Sequence, residues 1–268
     1  MTQITRGYVG GPGEQVHFRR AGEIGELVVL LHQTASSSRM YEPLIPFLAE
    51  HFRVVAFDTP GFGASCRLAD DRQIGEYVDR LRLAAMELSS ANNIHLVGHH
   101  TGAVIASDWA LRFPGEVDSV TAIGALAMGE ARRSYRAAHI PTVGIGAKGE
   151  QLEAAWKRVT GVDYPGHVDS ALWHREATDT LIATPHWTRT YEAVFDFDFD
   201  SAWAQLTMPA QTICGNKDIE AANLPRVRAI RPDLPVYELD GGTFVVEERP
   251  VEVAQRIGEL VMSINRGY

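Results

Sequence analysis

Ile94-His95-Leu96-Val97-Gly98-His99-His100-Thr101-Gly102 runs without a break into the helix-like stretch Ala103 to Phe113, and its reading decides the fold. A β-rich apolar run, a tight turn and a helix follow one another with no linker. Glycines at 98 and 102 let strand and helix approach closely, so one side chain is lifted into the crevice above a sheet. The lifted position is the middle one, His100.

The same alternation extends in both directions. Leu27-Val28-Val29-Leu30-Leu31 is an unbroken apolar run, the pattern of a strand buried on both faces. Val54 to Phe57, Val117 to Ile123, Gln211 to Cys214 and Val236 to Leu239 read as further strands. A Gly-Pro-Gly turn between Gly7–Gly10 and Gln15–Arg20 predicts an opening hairpin. Ile74, Tyr77, Val78, Leu81, Ala85 and Leu88 share one helical face, as do Val253, Ile257, Leu260, Val261 and Ile264 near the C-terminus. Strands alternating with helices predict an α/β class, a mostly parallel sheet flanked by helices.

From 129 to 206 the alternation lapses. Trp156, Trp173, Trp187, Tyr135, Tyr164 and Tyr191 stand there among helix-forming residues, which predicts a helical lid inserted into the core. The expected organisation is a first core part over 1–128, a lid or cap over 129–206 and a second core part over 207–268. Within the lid, Phe195-Asp196-Phe197-Asp198-Phe199-Asp200 reads as an extended segment with solvated carboxylates on one face and buried Phe on the other.

Composition narrows the function. The chain has 268 residues, 45% of them apolar, enough for one large domain with an insertion. With 25 Lys and Arg against 34 Asp and Glu, the net charge of −9 argues against nucleic-acid binding. No apolar run approaches the ~18 residues of a membrane span, and the first residues lack a secretion-signal pattern. A cytoplasmic protein without membrane contact is expected. Cys66 and Cys214 offer neither a disulfide framework nor a CxxC site. No phosphate loop, dinucleotide fingerprint or HExxH is present, so no cofactor and no metal are expected. The expected partner is a small-molecule substrate, and self-association into a homo-oligomer is left open.

The segment around His100 resembles the α/β-hydrolase superfamily, whose G-x-S-x-G elbow occupies this place in the chain. Other stretches follow in the family's order. Leu30 to Thr34 with Ser36-Ser37-Ser38 resembles the oxyanion loop, and Phe57-Asp58-Thr59-Pro60-Gly61-Phe62-Gly63-Ala64-Ser65 resembles the D-x-P-G-x-G-x-S turn. Gly215-Asn216-Lys217-Asp218 resembles the G-x-x-D that supplies the triad acid, and Gly241-Gly242-Thr243-Phe244 the loop that normally carries the triad histidine.

At two of the three catalytic positions the sequence departs from the family: His100 stands for the serine and Thr243 for the histidine, while Asp218 is retained. No histidine follows His186, so no nearby substitute restores the usual base. An imidazole at 100 is long enough to reach the space left by Thr243, which suggests a His100–Asp218 dyad. His100 would then be the general base, with Thr243 positioning a water or a substrate hydroxyl. The resemblance implies oxyanion donors at the Thr34 and Thr101 amides. Gln33 either enters the pocket or braces the loop. His186, Trp187 and Tyr191 either line the pocket or form the lid's own core, and Arg132 and Arg133 are candidates for a substrate carboxylate. His32 and His99 are expected to be structural.

Three functions remain open. The first is hydrolysis of an ester, lactone or related electrophile. The second is a lyase, isomerase, decarboxylase or cofactor-free oxygenase reaction with the same base. The third is ligand binding without turnover, His100 merely plugging an old site.

Overall fold

The computed structural model describes residues 2–69, 73–89, 93–132, 134, 144–160 and 170–265. Eight strands form one sheet in the order β1-β2-β4-β3-β5-β6-β7-β8. They are β1 Thr5–Val9, β2 Val16–Ala21, β3 Leu27–Leu31, β4 Arg53–Phe57, β5 Ile94–His99, β6 Val117–Ile123, β7 Ala210–Gly215 and β8 Val236–Leu239. β1 and β2 form the expected hairpin, β2 runs antiparallel to β4, and every later pairing is parallel.

The apolar runs are unbroken because both faces of the sheet are covered. Val29, Leu31, Val55, Phe57 and Leu96 enter one core with Tyr77, Leu81 and Trp109 of the helices Ile74–Leu88 and Thr101–Arg112. Their neighbours Val28, Leu30, Val54, Ala56 and Val97 enter the other core with Val253, Ile257 and Val261 of the helix Pro250–Asn265. Alternate residues thus serve opposite layers, and neither set tolerates a polar side chain.

Between β6 and β7 the described chain is helical at Glu150–Thr160, Ser170–Ala183, Trp187–Asp196 and Phe199–Gln205. Tyr135, Tyr164 and Arg133 lie outside the described residues. One expectation is corrected here. The Phe195–Asp200 run is not extended: it is the junction of two helices, with only Phe197 in extended backbone. Phe195 at the end of one helix and Phe199 at the start of the next are buried in the same core, while Asp196 and Asp198 are exposed. Asp198 is the N-cap, accepting from the Ser201 amide at 3.2 Å. Removing that acceptor in Asp198→Ala is expected to cost about 1 kcal/mol, lowering Tm by roughly 2–4 °C in a thermal melt. An unchanged Tm would show that the cap contributes nothing.

Candidate active site

The turn after β5 places His100 at φ +47°, ψ −108°, and His100 is the one non-glycine residue with positive φ among the described residues. Such a conformation costs of order 1–3 kcal/mol and persists only where the surroundings over-determine it. They do so here. The His100 amide donates to Ile123 O at 2.8 Å, and its carbonyl accepts from Ala103 N at 2.8 Å. A side-chain carbon on Gly102 would collide with the Leu31 carbonyl, and one on Gly98 with the carbonyl of Gly102. Strand and helix therefore meet more closely than any other residue type permits.

Asp218 arrives from the turn that follows β7. Its amide closes that turn onto Gly215 O at 3.0 Å, and its carboxylate accepts from the Glu220 amide at 2.8 Å, capping the short helix Ile219–Asn223. His100 Nε2 lies 3.1 Å from Asp218 Oδ1 and 3.0 Å from Oδ2. The two side chains, 118 residues apart in sequence, are thus brought together as a pair. Burial opposes a charge on His100, but the facing Asp218 carboxylate outweighs it and the imidazole pKa is raised. Burial likewise works against ionised Asp218, yet the imidazole and the Glu220 amide hold its pKa below the ordinary value. An ionised Asp218 can only accept, so Nε2 carries the proton of a neutral imidazole and Nδ1 is left as the acceptor. Among the described residues no hydrogen bond is made by Nδ1.

The other expected residues take varied positions. Thr34 and Thr101 meet: the Thr101 hydroxyl donates to Thr34 Oγ1 at 2.9 Å and accepts a long 3.4 Å contact from the Thr34 amide. Thr101 is the first residue of its helix, where an amide has no intrahelical acceptor. Gln33 is buried with Nε2 unpartnered among the described residues, while its carbonyl accepts from His32 Nδ1 at 2.8 Å. His32 Nε2 accepts from the Thr59 amide at 2.9 Å, so both of its ring nitrogens serve the backbone, and burial keeps its pKa low.

Thr243 follows β8 in a loop tied to the Asp218 turn by Lys217 N to Gly241 O at 2.9 Å. Its hydroxyl is buried without a hydrogen-bond partner among the described residues and makes no bond to His100 or Asp218. His99 is fully buried, its ring edge-on to His100 at 4.7 Å, and burial together with the neighbouring imidazole drives its pKa well down. His99, His100 and Asp218 hold ligand-type atoms within 4.8 Å of one another. An ion there would have to displace the imidazole from Asp218, both of whose oxygens face it.

The helices between β6 and β7 close on the loop after β3. Trp187 and Tyr191 pack edge to face at 5.5 Å and form one cluster with Ala35, Phe62 and Ala183. They are therefore packing residues at the junction of helix and loop. His186 Nε2 lies 2.8 Å from Arg67 Nη1 in a surface contact. Arg132 bonds Phe197 O at 2.9 Å and pairs with Asp198 at 3.2 Å.

Several polar residues around the site carry no sequence motif. Ser36 donates to Glu176 at 2.7 Å and Ser37 to Asp179 at 2.8 Å, while Arg175 pairs with both Glu176 and Glu247. Glu220, beside the dyad, is pushed up to about 7 by burial and by Asp218. Arg158 donates to Thr34 O at 2.6 Å. Each sits on a helix or turn whose pattern shows which face is polar but not which polar residue another element covers.

Burial and the charge of Glu176 raise the Asp179 carboxyl to about 6. Its unfolded value is about 3.9, so between those values the folded state binds more protons and stability falls as pH rises. Asp179→Asn is expected to flatten that limb of the Tm–pH curve between pH 4 and 6. At pH 7.5 it should raise stability by about 1 kcal/mol, or roughly 2–4 °C. An unaltered slope would show that Asp179 titrates normally.

Comparison with known proteins bears on the fold. The family model for the alpha/beta hydrolase fold matches residues 26–141. The chain is similar to the 2-(acetamidomethylene)succinate hydrolase of Mesorhizobium japonicum, 26% identical over 253 residues and 85% of each chain. Among solved structures, an E-2-(acetamidomethylene)succinate hydrolase aligns over 97% of this chain and 100% of its own with a TM-score of 0.74 at 21% identity. The enol-lactonase of Burkholderia xenovorans aligns over 96% and 100% with a TM-score of 0.74 at 19% identity. No described helix is long and apolar enough to cross a membrane. The parallel sheet, the elbow after β5 and these alignments over nearly the whole length agree, and the chain has the α/β-hydrolase fold.

Proposed function

We propose that the protein is a small-molecule hydrolase in which His100, oriented by Asp218, is the general base, acting on an ester, lactone, amide or related electrophile. The observation that carries this reading is the His100 Nε2–Asp218 pair at 3.0 Å in a strained elbow. Strain and a buried ion-pairing partner are expensive features for an inert plug. In this reading His100 stands where the superfamily has its serine nucleophile and Thr243 where it has its histidine.

Nδ1 takes a proton from water as the water oxygen bonds to the substrate carbonyl carbon. The carbonyl π pair moves onto oxygen, and the resulting oxyanion is held by the Thr101 amide at the helix start and by the Thr34 amide. The Thr34 contact to Thr101 Oγ1, at 3.4 Å, is at the long limit of a hydrogen bond and yields to a charged acceptor. Collapse of the tetrahedral species expels the leaving group, which recovers the proton from Nδ1. Asp218 stabilises the imidazolium throughout without taking the proton itself. The helices between β6 and β7 act as the lid over this chemistry, with Trp187 and Tyr191 packing it against the loop that carries Thr34.

The relatives named above set the first substrates to try: amides and enol esters bearing a succinate unit, then lactones and simple esters. Product formation by the native protein, with none from folded His100→Ala, is the expected result. Turnover that survives in His100→Ala overturns the assignment of the base. A second reading, proton abstraction from carbon by the same Nδ1, is favoured by the absence of a serine at the elbow. It is distinguished by exchange of substrate C–H for deuterium without incorporation of solvent oxygen.

A further inference from the structure

We infer that a proton-operated latch fastens the lid: the buried acids Glu176, Asp179 and Glu247 hold the helix Ser170–Ala183 against the loop after β3 and the short helix after β8 in acid, and release it as pH rises. The inference goes beyond the chemistry at His100 and takes from the reading above only the role of these helices as a lid.

The latch is built from both sides. Glu176 and Asp179 are almost wholly buried on the helix Ser170–Ala183, where they accept from Ser36 Oγ at 2.7 Å and from Ser37 Oγ at 2.8 Å. Arg175 of the same helix bonds Glu176 Oε1 and grips both oxygens of Glu247, in the short helix Val245–Glu248. Ser36 is two residues beyond Thr34 and Glu247 four beyond Thr243, so the helix is tied beside both loops of the candidate site.

The charges do not balance once all three acids are ionised. Among the described residues Arg175 serves Glu176 and Glu247, while Asp179 pairs at 3.4 Å with Arg39, a guanidinium standing partly in solvent. Glu176 Oε2 is buried without a donor among the described residues, so added negative charge is not compensated. The other charged or titratable groups facing the cluster are Glu248 beside Glu247, His32 within reach of Glu176, and Arg158 of the helix Glu150–Thr160, which is bonded to Thr180 and Thr34. Burial, with the charge of Glu176 behind it, raises Asp179 to about 6 and Glu247 to about 7. A solvated carboxyl titrates near ~4, so the closed latch binds protons that the open one gives up. Its stability is full in acid and is lost as pH rises through the two raised values.

Hydrogen–deuterium exchange of the full chain, corrected for the intrinsic pH dependence of amide exchange, reads the latch without turnover, so its outcome does not depend on whether His100 is the base. In the native protein the protection of the helix Ser170–Ala183 is expected to fall ~100-fold or more between about pH 5 and about pH 8, while that of β3 and β5 changes little. Asp179→Asn combined with Glu247→Gln keeps the hydrogen-bond acceptors without the charge, and is expected to hold the helix equally protected at both pH values. Arg175→Gln removes a cation instead, and is expected to lower the helix's protection further at the upper pH. A helix whose protection ignores pH overturns the proposal, and so does an equal fall in β3 and β5, which is global unfolding. A double variant that keeps the native pH dependence, or an Arg175→Gln variant as protected as the native protein, overturns it as well.

Discussion

His100→Ala is expected to lose about 10²–10⁴-fold in kcat, the usual worth of a positioned general base, while keeping its fold. Alanine at φ +47° is as strained as histidine, so the elbow itself neither gains nor loses by the exchange. The native pH profile carries the same assignment. Only neutral imidazole can accept a proton, and Asp218 raises the pKa of His100 above 6.5, so kcat should climb with pH through that raised value and level off above it. Stability runs the other way. A histidine whose folded pKa is raised contributes stability that is full below its unfolded value and is lost as pH rises through the folded one. Acid should therefore tighten the dyad while silencing the reaction, two readouts of one titration with opposite sign.

Asp218→Asn sharpens this expectation. Without the carboxylate the acidic limb of the profile should move to lower pH, and kcat should fall because the tautomer with Nδ1 free is no longer enforced. A profile that keeps its acidic limb in place would mean that some group other than His100 titrates.

Much of this site could be read in the chain because each piece is bound to a local backbone rule. The apolar run Leu27–Leu31 has one use, a strand covered on both faces, and it lies between β4 and β5 in that setting. Gly98 and Gly102 bracket a turn at which backbone carbonyls leave no room for a side chain, so His100 is lifted by geometry that the glycines announce. The His100–Asp218 contact follows from parallel topology, since the turns at the same end of β5 and β7, parallel strands with only β6 between them, face a common crevice.

What escaped sequence reading is polar residues whose burial depends on a second element. Glu176 and Asp179 are the two acids of the helix Ser170–Ala183, and nothing in its periodicity says that both are buried or that Ser36 and Ser37 will meet them. Arg158 lies in a sequence of ordinary amphipathic character, and its bond to Thr34 O, 124 residues away, appears only once the chain is folded. The Phe195–Asp200 run misled for the complementary reason, because its period of two fits a strand while the helix N-cap at Asp198 lets the same spacing break into two helices.

Gly124→Ala should mimic the loss of His100 from a position that no elbow motif includes. Gly124 directly follows β6, donates its amide to Ile213 O of β7 at 2.9 Å and has φ +61°, so the chain turns there beside the dyad. A methyl group there would collide with His100 Cδ2 and with Nε2, the nitrogen that faces Asp218. The left-handed backbone alone costs alanine about 1–2 kcal/mol, and the displaced imidazole adds a loss of about 10²-fold or more in kcat. The two costs separate in a double-mutant cycle. In a His100→Ala background the ring is gone, so only the backbone cost of Gly124→Ala should remain and its stability penalty should shrink. Full additivity of the two stability changes would show that position 124 does not press on the imidazole, and the dyad would then owe nothing to the end of β6.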